Sequence, residues 1–128
     1  MITKFTNAQI LTNADSPVFK GEVVVENSTI KFVGEKYEGE YDDEINCGGN
    51  LLMSGFINCH AHSPMVLLKG LGEGESLEDW LFKNMIPAEK KMTRKDIYHG
   101  TILAIKEMIK NGITCFQECY FYPDETLR

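Results

Sequence analysis

Long apolar runs are missing from the sequence, and we expect neither a membrane anchor nor an export signal in it. No apolar run approaches the roughly 20 residues of a membrane-spanning helix, and the polar start Met1-Ile2-Thr3-Lys4 is unlike a signal peptide. The cysteines are Cys47, Cys59, Cys115 and Cys119. They form no C-x-x-C pair, and we expect reduced thiols in the cytoplasm. The last three are expected to be buried in apolar surroundings rather than to bind metal.

Positive charge is also scarce. The chain has 13 Lys and Arg residues against 19 Asp and Glu residues, which gives a net charge of −6. This balance argues against nucleic-acid backbones and anionic membranes as partners. With 43% hydrophobic and 25% charged residues, the 128-residue chain has the composition of a globular domain and can bury a core.

The first part of the chain has the pattern of β-structure. Segments 5–12 and 21–25 carry alternating or continuous apolar residues with β-branched character, which predicts half-buried strands. A turn-forming segment followed by a strand at 30–33 predicts a hairpin. The acidic segment 35–44 is interpreted as a solvated loop. We therefore predict a small β domain over residues 1–50.

After residue 50 the pattern alternates between strand and helix. Residues 56–62 are interpreted as a buried strand that ends in polar side chains, and residues 113–116 as a second buried strand. A strand, a helical connection and another strand make a βαβ unit, whose strands run parallel. The sequence thus predicts that residues 51–128 begin an α/β domain.

Two helices are predicted between these strands. Ser76 and Thr93 each precede an Asp by three residues, which is a signal for a capped helix start. Asn111 and Gly112 mark the end of the second helix. His99 lies off the apolar stripe of that helix and is expected on the surface. The predicted stripe consists of Ile97, Tyr98, Thr101, Ile102, Ile105, Met108 and Ile109.

His60 and His62 are the most informative residues. Two residues apart on a strand, they face the same way with Cα atoms roughly 6.5 to 7 Å apart. Imidazoles at this spacing can converge on one ion through bonds of about 2.0–2.1 Å. The carboxyl end of a strand in an α/β domain is also where active sites gather. The alternative is two unrelated histidines, one buried and one exposed.

The residues around this pair extend the pattern over some 70 positions. They are GFINCHAHSPM at 55–65, LLKG at 67–70, LEDWL at 77–81, PAE at 87–89, the helix 93–112 and GIT at 112–114. Together they resemble the amidohydrolase superfamily. The branch they match is that of the 5-methylthioadenosine/S-adenosylhomocysteine deaminases and the related chlorohydrolases.

The resemblance implies a fold, a reaction and a set of site residues. It implies part of a composite β-sandwich followed by the first two βα units of a (β/α)₈ barrel. It implies hydrolytic deamination of an adenosine-type nucleoside, in which a metal-activated water attacks C6 of the purine. His60 and His62 match the first two ligands of one divalent ion, zinc or iron. Glu89 matches a glutamate that binds ribose hydroxyls, and Trp80 lies in a segment that flanks the substrate.

Other interpretations of these residues remain open. Without the resemblance, Glu89 is interpreted as a solvated carboxylate and Trp80 as a core residue. The sequence also departs from the family pattern: Ser54 stands in place of Pro, Lys69 in place of Arg, and Glu118 in place of Asp. The last change adds a methylene at a strand end, so the role of Glu118 is in doubt.

The length of the chain limits what it can do alone. A (β/α)₈ barrel takes about 250 residues, and a catalytic zinc site takes three protein ligands. We therefore expect an N-terminal segment of an amidohydrolase, without its acid–base residues, that binds metal weakly and is inactive in isolation. Open strand edges would favour a homo-oligomer.

Three alternatives concern function. The substrate could be guanine, cytosine or a chlorinated triazine. The chain could be a non-enzymatic folding or oligomerisation module. It could also belong to a binuclear hydrolase that uses a carboxylated lysine from elsewhere.

Overall fold

The chain folds into two compact units, Met1–Ser54 and Gly55–Arg128. The computed structural model describes residues 1–122 and 124. The division follows Ser54 rather than residue 50, because Leu51–Met53 forms a strand that pairs within the first unit. In the described part of the chain, no helix combines the length and apolar content needed to cross a bilayer.

A five-stranded sheet forms the first unit. Its strands are β1 (Ile2–Leu11), β2 (Phe19–Glu26), β3 (Thr29–Gly34), β4 (Asp43–Asn46) and β5 (Leu51–Met53). The order is β3-β2-β1-β4, and β5 also pairs with β1. Strands β1, β2 and β3 are antiparallel neighbours, whereas β4 and β5 run parallel to β1. Ala8, Ile10 and Val23 form the buried core of this sheet.

The predicted hairpin is present. Asn27 adopts a positive φ of 56° between β2 and β3, a conformation that Asn tolerates better than most residues. The prediction of a loop over 35–44 was wrong at its end, since Asp43 and Glu44 begin β4. All four residues of β4 are exposed, so the sequence of this strand does not alternate between buried apolar and exposed polar residues. The strand is held by its backbone pairing with β1.

The second unit contains a parallel strand pair with a helical connection. Strands β6 (Phe56–Ala61) and β7 (Ile113–Glu118) run parallel, as the βαβ pattern predicts. A 3₁₀ helix (Ser63–Leu68) follows β6. A longer helical segment then consists of α1 (Leu77–Asp79), a π-helical stretch (Trp80–Met85) and α2 (Ile86–Glu89). Helix α3 (Arg94–Lys110) leads into β7.

The predicted helix boundaries are confirmed by their caps. The Ser76 hydroxyl accepts a hydrogen bond from the Asp79 N–H, and Thr93 forms a reciprocal capping box with Asp96. Gly112 has a φ of 75° immediately after α3, a conformation that costs glycine little. These local signals therefore fix where the connection turns back toward β7.

The buried face of α3 differs from the predicted stripe. Tyr98 and Ile109 are 39% and 67% exposed, whereas Gly100 and Ala104 are buried. A Cβ atom at Gly100 would lie 2.7 Å from the carbonyl oxygen of Pro64. The 3₁₀ helix thus approaches α3 so closely that small residues, rather than large apolar ones, occupy the contact.

The sheet of the second unit is open in the described part of the chain. It contains only β6 and β7, and Phe56 is 58% exposed. The prediction of buried thiols was wrong here, because Cys59, Cys115 and Cys119 are exposed. A strand residue is buried only where another layer packs on its face of the sheet. Here one helix covers only part of the two-stranded sheet.

Candidate metal and substrate site

His60 and His62 converge at the end of β6. Their Nε2 atoms lie 3.0 Å apart, and the ring centroids are 5.0 Å apart with an angle of 31° between the planes. Both residues are exposed. The alternative with one buried and one exposed histidine therefore does not describe this pair.

The donor atoms of the pair fit a divalent ion. Two metal–nitrogen bonds of about 2.0–2.1 Å add up to more than the 3.0 Å between the nitrogens, so both can reach one ion. Imidazole nitrogen is a ligand that zinc and iron accept. Within residues 1–122 and 124, no three His, Cys, Asp or Glu side chains are grouped to hold an ion. The described residues thus offer two candidate ligands, fewer than a catalytic zinc site uses.

Glu118 lies beside this pair, at the end of β7. Its Oε2 accepts a hydrogen bond from the Ser63 N–H at 3.1 Å. Its Oε1 accepts hydrogen bonds from the N–H groups of Cys119 and Tyr120, both at 2.9 Å. The carboxylate therefore connects the end of β7 with the residue that follows His62. Sequence reasoning left this residue without a role.

Tyr120 is a site residue that sequence reasoning missed. It is buried, with 9% of its surface exposed, and its ring meets that of His62 edge-on at a centroid distance of 6.1 Å. Burial raises the pKa of Tyr120 well above its usual value, and a hydrogen bond to the Glu89 carboxylate adds to the effect. The phenol therefore stays protonated. Its hydroxyl lies 3.9 Å from Met92 Sδ, with the Glu89 carboxylate close enough to raise its pKa. The place of Tyr120, four residues after the predicted strand 113–116, is the one signal in the sequence that relates it to a strand end.

Glu89 therefore lies near Tyr120, whose ring contacts that of His62. Glu89 is half-buried at the end of α2, which argues against a freely solvated carboxylate. Trp80 is half-buried at the start of the π-helical stretch, so part of its ring remains accessible. The assignment of both residues to substrate binding stays a prediction.

Lys69 and His99 make their side-chain contacts with residues of α3. Lys69 Nζ lies 2.5 Å from Glu107 Oε2 on α3, so this cation ties the 3₁₀ helix to α3. His99 is exposed on α3, as predicted, with its ring against that of Tyr98. His99 therefore serves as a natural control in experiments on the histidine pair.

Comparison with known proteins gives consistent matches. Residues 51–128 match the Amidohydrolase family. A 5-methylthioadenosine/S-adenosylhomocysteine deaminase of Thermotoga maritima is 42% identical over 118 residues, covering 92% of this chain and 28% of the relative. A 5'-deoxyadenosine deaminase of Methanosarcina mazei is 39% identical over 124 residues, covering 95% of this chain and 29% of the relative.

Solved structures agree with these sequence matches. A crystal structure of an adenosine deaminase from Xanthomonas campestris with bound zinc superimposes with a TM-score of 0.88 at 28% identity. It covers 97% of this chain, which in turn covers 30% of that structure. The chain therefore spans less than a third of the length of these relatives.

Proposed function

Because the chain belongs to the amidohydrolase family, we propose that it supplies part of the active site of a metal-dependent deaminase. The substrate class is an adenosine-type nucleoside such as methylthioadenosine or S-adenosylhomocysteine. Relatives named for this activity, at 36–42% identity, support the choice over guanine, cytosine or triazine substrates. Its free cysteines support the cytoplasm as the compartment.

The convergence of His60 and His62 is the observation that carries this proposal. Their Nε2 atoms face each other across 3.0 Å at the carboxyl end of β6. In the proposed site these two nitrogens hold one divalent ion, zinc or iron. When bound, such an ion supplies the Lewis acidity that activates a water molecule for attack on C6 of the purine.

Glu89 and Trp80 provide the proposed substrate contacts. In the proposed site the Glu89 carboxylate accepts hydrogen bonds from the ribose hydroxyls, beside the buried phenol of Tyr120. Trp80 offers an aromatic surface beside the substrate. A ribose contact of this kind favours a nucleoside over a free base, because a free base has no hydroxyls that could donate to this half-buried carboxylate.

The two units take defined places in the proposed enzyme. The sheet of Met1–Ser54 contributes to a β-sandwich, and the second unit, which contains β6, α3 and β7, belongs to the first two βα units of a (β/α)₈ barrel. The remaining ligands and the acid–base residue lie outside these 128 residues. We therefore propose that the isolated chain binds a divalent ion weakly and lacks deaminase activity.

The open sheet of the second unit supports self-association of the isolated chain. Phe56 and Ile57 are 58% and 67% exposed on β6, and exposed apolar strands pair readily with other chains. Light scattering should therefore give a mass above the 14.5 kDa of one chain. A monomer at all concentrations would contradict this part of the proposal.

A chimera tests the catalytic proposal directly. In it, this chain replaces the matching 118 residues of the Thermotoga maritima deaminase, and ammonia release from methylthioadenosine is measured. We expect the chimera to be active and its H60A/H62A variant to lose at least about 100-fold in kcat/KM, since a metal site without two ligands does not retain its ion.

The matched control is His99→Ala, which removes an exposed histidine from α3 and should change kcat/KM by less than twofold. An active chimera whose H60A/H62A variant retains full activity would contradict the proposed role of the pair. An inactive chimera, assayed beside an active Thermotoga parent, would contradict the assignment to this substrate class.

A further inference from the structure

We propose that Glu118 is a positioning residue for His62: its carboxylate caps the 3₁₀ helix that begins after this histidine and ties it to the end of β7. The inference rests on the proposed function, because it concerns how the metal-binding pair is held. The residues that carry it are those that flank His62 and the hydrogen bonds of their backbone.

The 3₁₀ helix has no cap of its own. A helix start leaves backbone N–H groups without carbonyl partners, which a Ser, Thr, Asp or Asn side chain at the N-cap position normally satisfies. Here the N-cap residue is His62, with φ −123° and ψ 66°, and its side chain makes no capping hydrogen bond. The imidazole faces His60 instead. The helix therefore depends on another residue for its cap.

Glu118 supplies this cap from 55 residues away. The N–H of Ser63 donates to Oε2 at 3.1 Å and lies 3.4 Å from Oε1. Pro64 has no N–H, and the next donor, Met65, already bonds the carbonyl oxygen of His62 at 2.9 Å. Ser63 thus carries the N–H that needs a partner, and it is buried, with 4% of its surface exposed.

The same carboxylate also orders the end of β7. Its Oε1 accepts from the N–H groups of Cys119 and Tyr120. The Cys119 N–H also lies 2.8 Å from the carbonyl oxygen of Ala61. Both neighbours of His62 are therefore connected to the end of β7, Ala61 through Cys119 and Ser63 through Glu118. This arrangement fixes the backbone from which the His62 imidazole projects.

His60 does not share this dependence. It lies inside β6, between Asn58, which pairs with Phe116 of β7, and Ala61, which pairs with Glu118. Loss of the Glu118 carboxylate should therefore reduce the part of ion binding that comes from His62 and leave the part from His60. Residues that hold a metal ligand in position without binding the metal themselves typically contribute about 10–100-fold to metal affinity.

The test is a mutant cycle on zinc affinity in the 128-residue chain. Glu118→Gln keeps the side-chain length, but its amide NH₂ cannot accept the hydrogen bond of a second N–H group. We expect E118Q to weaken zinc binding about tenfold. In the H62A background, the same change should alter the remaining affinity by less than twofold. Glu73→Gln, at an exposed residue, is the matched control and should have no effect.

Amide hydrogen exchange provides a readout that needs no metal. In metal-free wild-type chain the Ser63 amide should be protected, and E118Q should accelerate its exchange at least about tenfold. Circular dichroism checks that each variant is folded. If E118Q does not fold, Glu118→Asp takes its place in the cycle; it keeps the charge, is one methylene shorter, and should weaken zinc binding less than tenfold.

The two proposals fail in different ways. Equal losses for E118Q with and without His62, or unprotected Ser63 in the wild type, would overturn the positioning role. A chain that binds no zinc but shows a Glu118-dependent Ser63 amide would contradict the metal site and leave the cap in place.

Discussion

The two compact units differ in how completely their strands are paired in the described part of the chain. In Met1–Ser54, β1 has partners on both sides and Ala8 is 1% exposed. In Gly55–Arg128, β6 and β7 pair with each other, and Ile57 is 67% exposed. All the candidate site residues lie in the second unit.

This difference indicates which contacts hold the site residues in place. The histidines stand on a two-stranded sheet, so a closed core does not hold them. A few specific contacts hold the surrounding segments instead, namely the capping box of Thr93, the close approach of Gly100 to Pro64, and the hydrogen bonds of the Glu118 carboxylate. The site should therefore respond to single changes in these contacts, and the first unit should not.

The largest effect is expected from Gly100→Leu. Its Cβ would lie 2.7 Å from the Pro64 carbonyl oxygen and 3.0 Å from its Cα, both backbone atoms. Overpacking of this kind should cost about 3 kcal/mol, enough to detach α3 from the 3₁₀ helix. Amide exchange should show loss of protection in α3 but not in β1 and β2.

Lys106→Leu adds the same side chain on the exposed face of α3 and should leave both units protected. If G100L also unfolds the first unit, the two units do not unfold independently, which contradicts the expected difference between them.

A smaller effect is expected from Val24→Ala in the first unit. Val24 is fully buried in β2, and removal of about two methylene equivalents should lower the free energy of unfolding by about 2 kcal/mol. Chemical denaturation monitored on the first unit gives this value. Val33→Ala, at a residue that is 40% exposed, should cost less than half as much; equal losses would show that the burial of Val24 does not contribute to stability.

The smallest effect concerns Tyr120 and pH. Because burial raises the pKa of Tyr120 above its usual value near 10, the unfolded chain loses this proton first as the pH rises. The stability that this group contributes is complete below about pH 10 and falls at higher pH. The free energy of unfolding of wild type relative to Y120F should therefore decrease above about pH 10 and stay constant between about pH 7 and 9. A constant difference up to about pH 11 would contradict the burial of this phenol.

Local signals explain what could be predicted from the sequence. The turn at Asn27, the caps at Ser76 and Thr93 and the stop at Gly112 are decided within a few residues, so the strand and helix order follows from them. The convergence of His60 and His62 follows from the two-residue period of a strand.

Contacts between distant residues explain the rest. β4 has four exposed side chains and is defined by its pairing with β1, which no periodicity reveals. Which face of α3 is buried depends on the close approach of Pro64 to Gly100. The roles of Glu118 and Tyr120 depend on which donors and acceptors the fold brings beside them.

A zinc titration observed through the imidazole NMR signals tests whether His60 and His62 act together on one ion. We expect the signals of both rings to change together, with one dissociation constant and one equivalent of zinc per pair, while those of His99 stay unchanged. Separate dissociation constants for the two rings, or equal changes at His99, would contradict joint binding of one ion.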